Sequence, residues 1–72
     1  MDSMYKYRFS ATAKKPEFKE MLIKDVKNLG LIPSEVNDTV TVEGEAKFET
    51  CMGYMARFLH FDEHEFYLSR RG

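Results

Sequence analysis

Tyr5, Tyr7, Phe9 and Ala11 alternate with Lys6, Arg8, Ser10 and Thr12. A period of two sends successive side chains to opposite faces, so this stretch reads as a strand with its aromatic face turned inward. The period then lengthens. Phe18, Met21, Leu22, Val26 and Leu29 fall on one side of a helix. Pro16 suits the first helical turn, where its missing N–H is not needed. Glu17 and Glu20 favour the positive end of the helix dipole. Lys27 lies in the last turn, and Gly30 reads as a stop.

A short apolar hairpin follows, Ile32 to Val36 and Thr39 to Gly44, around Asn37-Asp38. Those two residue types tolerate the positive φ of a tight turn. Val40 and Val42 point inward. Pro33 offers no ladder donor, which places its strand at a sheet edge. A second helix is expected from about Ala46 to Leu59, with a stripe of Phe48, Cys51, Met52, Met55 and Leu59. Gly53 weakens it, and a close approach by another element would explain a glycine there. Phe66 and Leu68 alternate with Glu65, Tyr67 and Ser69 in a last strand.

The order is strand–helix–strand–strand–helix–strand. Two strand–helix–strand units of this length interleave most naturally as a split βαβ, or ferredoxin-like, arrangement. Right-handed, un-knotted connections leave few alternatives. The expected fold is therefore an α+β two-layer sandwich: a four-stranded antiparallel sheet with two helices on one face. Its other face is open and displays Lys6, Arg8, Ser10, Thr41, Glu43, Glu65 and Tyr67. Phe9, Leu22, Val42, Met52 and Met55 are expected to be inaccessible.

The 72 residues are expected to form one compact domain, with residues 1–3 a loose N-terminal leader. The lone cysteine, Cys51, leaves no intramolecular disulfide framework. Together with an N-terminus that lacks a signal-like apolar core, this points to the cytoplasm. The net charge is −1, but its distribution is uneven. Residues 1–30 hold seven basic and four acidic side chains, and residues 31–72 hold four and eight. That asymmetry reads as attraction between the halves of one fold, or as a partner surface.

Candidate chemistry is sparse. Cys51 lies on an apolar stripe and reads as a buried structural thiol. His60, Asp62, Glu63 and His64 crowd together where a helix is ending, which spreads potential ligands apart and favours a solvated turn over a metal site. No metal or other cofactor is expected. Asp25 falls near the apolar arc of the first helix and reads as structural and partly exposed. Lys14 and Lys15 precede a helix N-terminus, which favours anions, but no glycine lets the loop close around a phosphate.

The remaining candidates are surfaces, the open sheet face described above and a flank of the second helix. Tyr54, Phe58 and Phe61 lie along one flank of the second helix with Arg57 beyond, and aromatics and arginine mark interface hot spots. The same aromatics would serve equally to close the bottom of the core. The expected function is that of a small non-enzymatic macromolecule-binding or regulatory domain, acting on a protein partner or by self-association, without a membrane. The alternatives are a nucleic-acid binder using Lys6, Arg8, Lys14 and Lys15, and a small-molecule site or enzyme built at a dimer interface.

Overall fold

The computed structural model describes residues 3–71, which include Ser3 of the expected leader but not Met1 and Asp2. The elements are β1 (Met4–Thr12), α1 (Pro16–Asn28), β2 (Ser34–Val36), β3 (Thr39–Lys47), α2 (Phe48–Phe58) and β4 (Glu63–Arg70). The sheet order is β2-β3-β1-β4 and every pair is antiparallel. This is the split βαβ topology, with both helices on one face.

Local chemistry sets the boundaries of α1. Pro16 opens the helix. At the other end Gly30 adopts φ +84°. Its N–H donates to the Lys27 carbonyl at 2.9 Å, and the Leu31 N–H donates to the Val26 carbonyl at 3.0 Å. This pair of bonds is a Schellman motif, and it needs a residue that tolerates the left-handed region. Asn37 takes the same role in the β2–β3 turn, with φ 54°. The Ala13 N–H reaches the Asp38 carbonyl at 2.8 Å, tying the β1–α1 loop to that turn.

The core forms between the inner sheet face and the helices. Tyr7, Phe9 and Ala11 of β1 lie beside Val40 and Val42 of β3, under Leu22 and Val26 of α1 and Cys51 and Phe58 of α2. Phe9 is its hub. Its ring centroid lies 5.2 Å from Tyr7, 5.4 Å from Phe66 and 6.3 Å from Phe58. Offset and edge-on rings at such separations attract beyond their buried area.

Several expectations are corrected. β2 begins at Ser34 rather than Ile32, since Pro33 brings no donor to the ladder. β3 continues through Glu45, Ala46 and Lys47, which pair with Lys6, Tyr5 and Met4 of β1, so α2 starts at Phe48 and not Ala46. The inward stripe of α2 runs through Cys51, Tyr54, Met55 and Phe58. Met52 and Met55 are only half-buried, and Phe48 and Leu59 are exposed. Strand pairing up to Lys47 sets the phase of the helix that follows it. A different part of the broad apolar surface of α2 therefore turns inward.

Gly53 is also corrected. A side chain added there would meet nothing within 4 Å, so no element approaches its backbone closely. Gly53→Ala should therefore stabilise the domain by about 0.5–1 kcal/mol, through helix propensity and a less flexible unfolded chain. Urea unfolding checks this, and a loss of stability would contradict it. Gly44 is the glycine with a packing reason. A Cβ there would lie 2.9 Å from Tyr7 Oη, because the Tyr7 ring covers its cross-strand neighbour.

Candidate functional site

Strand register assembles the open face in rows. The central row reads Glu43, Arg8, Tyr67 across β3, β1 and β4. On one side of it lies Glu45, Lys6, Ser69, and on the other Thr41, Ser10, Glu65. Thr39, Thr12 and Glu63 close the end, where the Thr12 and Thr39 hydroxyls share a hydrogen bond of 3.1 Å. These side chains face away from the helices because they alternate with the core residues of the same strands. Lys6, Arg8, Glu43, Glu65 and Tyr67 line a broad trough of about 670 Å³.

Tyr67 is 57% exposed, an aromatic ring on an open sheet directly opposite an exposed arginine. Among the described residues, no ion pair within 4 Å holds Arg8, although Glu43 faces it in register. The alternation of residues 65–69 already turned Tyr67 outward. Its position beside Arg8 depends on the pairing of β1 with β4, which no local pattern reveals.

The α2 flank separates on folding. Phe58 is fully buried at 0% exposure, so its expected place on a binding surface is corrected: it belongs to the core beneath Phe9. Tyr54 is half-buried with its ring 5.5 Å from Tyr7, and Phe61 is half-buried against the core. Arg57 alone of the four is exposed. Phe18 and Met21 form another exposed apolar pair, three residues apart on α1. The Lys15 ammonium lies 5.6 Å from the centre of the Phe18 ring.

The four basic residues considered for nucleic acid also part company. Lys6 and Arg8 lie on the open face, opposite Glu45 and Glu43 of β3 and opposite Ser69 and Tyr67 of β4. Lys14 and Lys15 lie beyond the end of β1, and the Lys14 ammonium is 3.9 Å from Glu63. Lys19 pairs with Glu35 at 3.3 Å and donates to the Asn37 carbonyl at 2.9 Å. These two ion pairs join the basic first half of the chain to the acidic second half. Arg71 pairs with Glu45 at 3.1 Å within the second half.

The histidine cluster disperses as well. The His64 Nδ1–H donates to the Phe61 carbonyl at 2.6 Å, and the ring stacks on Phe66 at 4.8 Å. His60 is exposed. Among the described residues no three His, Cys, Asp or Glu side chains gather as a metal site. Asp25 is exposed on α1. Among the described residues no helix is long and apolar enough to cross a membrane.

No protein-family model matches this chain, and no curated protein matches it.

Two buried groups carry shifted acidities. Burial pushes the Tyr7 phenol above its ordinary value, and the nearby Tyr54 and Cys51 groups act in the same direction. Burial also raises the Cys51 thiol, against a smaller lowering by a backbone hydrogen bond. Cys51 Sγ lies 3.6 Å from the Ala46 carbonyl, to which the thiol donates. A sealed thiol of raised pKa stays protonated and is a poor nucleophile. Both groups hold their protons more tightly when folded. The stability tied to them is complete below their unfolded pKa values and is lost as pH rises through the folded ones. Urea unfolding should show stability falling as pH climbs past about 9, the ordinary thiol value. The fall should be shallower in Tyr7→Phe, and an equal slope would contradict the assignment to Tyr7.

Proposed function

We propose that this chain is a small non-enzymatic protein-interaction domain that binds through the open side of its sheet. The Glu43–Arg8–Tyr67 row carries the reading. Tyrosine and arginine dominate interface hot spots because each joins a large contact area to a polar end that still finds a partner. Here they stand together at the centre of an exposed face, with Glu43, Glu45, Glu63 and Glu65 around them. A partner that fits brings basic side chains to those carboxylates and an apolar group to the Tyr67 ring.

The same charges weigh against nucleic acid. Four glutamates share this face with Lys6, Arg8, Lys47 and Arg71, and Glu45 holds the Arg71 guanidinium, so the face has no net basic footprint of the kind on which phosphate binding rests. Single-stranded recognition by this topology also stacks bases on aromatics of the central strands. Those positions here are Lys6, Arg8, Thr41 and Glu43.

A photo-crosslinker at position 67, compared with one at Met21 on the helix layer, tests the reading in the native host. Position 67 should capture a protein, and Tyr67→Ala should weaken binding of that purified partner about 30-fold or more, the scale of a hot-spot residue. Folding stability should stay within about 0.5 kcal/mol, as for a surface change. Capture at position 21 alone would move the interface to the helices and overturn the proposal.

A further inference from the structure

The sheet has two edges of unequal character. β2 is a three-residue strand preceded by Pro33, a blunted edge. β4 is eight residues long and contains no proline, glycine or lysine. Its register with β1 runs unbroken from Tyr5↔Arg70 to Thr12↔Glu63, with no bulge to twist it away. The Arg71 N–H donates to the Met4 carbonyl at 3.0 Å and carries the ladder one residue further. Among the described residues no strand lies on the outer side of β4, which therefore presents a long row of backbone groups. Its helix-side residues are incompletely covered too. α2 packs mainly over β1 and β3, and Phe66 and Leu68 are only half-buried.

We propose that two copies of this chain pair antiparallel along β4, centred on Tyr67, to make one continuous eight-stranded sheet. The inference rests on the protein-interaction reading above and names a second copy as the occupant of its β4 border. Charge along the strand selects this partner. β4 begins with Glu63 and Glu65 and ends with Arg70, followed by Arg71. An antiparallel copy thus sets the acidic end of each strand against the basic end of the other.

The register follows from which residues meet. Centred on Tyr67, Glu63 faces Arg71 of the second copy and Glu65 faces Ser69. On the helix side Phe66 faces Leu68, so two half-buried apolar pairs complete their burial together, and the Tyr67 rings meet on the open face. Shifting the centre to Phe66 sets Glu65 against Tyr67 and His64 against Leu68, a poorer match. The guanidinium of Arg71 has donors beyond the one given to Glu45 and can serve both carboxylates. The part of β3 beyond β2 offers no equivalent, because a self-pairing centred on residue 43, 44 or 45 opposes glutamate to glutamate.

Sedimentation equilibrium of the wild type and two charge reversals tests this. Wild type should be a dimer. Glu63→Arg and Arg71→Glu should each weaken it about tenfold, since each turns two cross-strand attractions into repulsions. Mixing the two variants should restore the wild-type affinity, because each reversed charge then meets an opposite one. Neither residue holds the monomer together: the Glu63–Lys14 and Arg71–Glu45 contacts are surface pairs. A wild type that stays monomeric at its highest attainable concentration overturns the inference, as does a dimer indifferent to both reversals or one whose mixture stays weak. In each of those cases a different protein captured at position 67 leaves the broader reading standing.

Discussion

Phe58→Ala should lower the unfolding free energy by about 3–5 kcal/mol, the range for a buried aromatic. Phe58 is wholly buried, and its ring lies 6.3 Å from that of Phe9, the hub of the core. Truncation removes buried apolar area and leaves a cavity under the sheet that the rigid strands cannot close. Domains of ordinary stability have about 5–15 kcal/mol in total, and a chain this small belongs at the low end. Most molecules of this variant should be unfolded near physiological temperature. Arg57→Ala, one residue earlier but exposed, should stay within about 0.5 kcal/mol. Urea denaturation of both variants checks the pair. Equal stabilities would mean that α2 is rotated away from the orientation described.

Leu22→Ala is expected to cost about 2–5 kcal/mol. Leu22 is 1% exposed and packs with Val26 at the face of α1 turned toward the sheet. Phe18 belongs to the same apolar stripe in sequence, yet it is 45% exposed. Its truncation should cost well under half as much, because much of its surface already meets water. Thermal melts of the two variants separate them, and a Leu22→Ala melt matching wild type would place α1 wrongly on the sheet.

Sequence patterns sufficed for the strand faces and the element boundaries. The alternation in β1 identified its inner face because apolar and polar residues strictly interchange from Tyr5 to Thr12. Pro16, Gly30 and Asn37 marked their boundaries because each has a backbone requirement that few residues meet. With the elements in order, handedness and chain length led to the sheet.

The phase of α2 was less legible. Apolar residues cover a wide arc of that helix, so several faces satisfy a helical period equally well. The choice falls to the extra pairing of Glu45, Ala46 and Lys47 with β1. Gly44 concealed that extension: it interrupts the apolar alternation, and only the Tyr7 ring lying over it explains how the strand continues. The adjacency of the two residues proposed to bind was hidden for a related reason. Tyr67 and Arg8 are 59 positions apart in the chain and become neighbours only through the β1–β4 register.

The domain is proposed to associate through the open side and border of its sheet rather than through α2. Amide NMR spectra of the wild type over a dilution series test this most directly. Concentration-dependent shifts are expected in residues 63–71 and in Arg8, with α2 unchanged. Shifts confined to α2, or to Phe18 and Met21 of α1, with β4 silent, would contradict it.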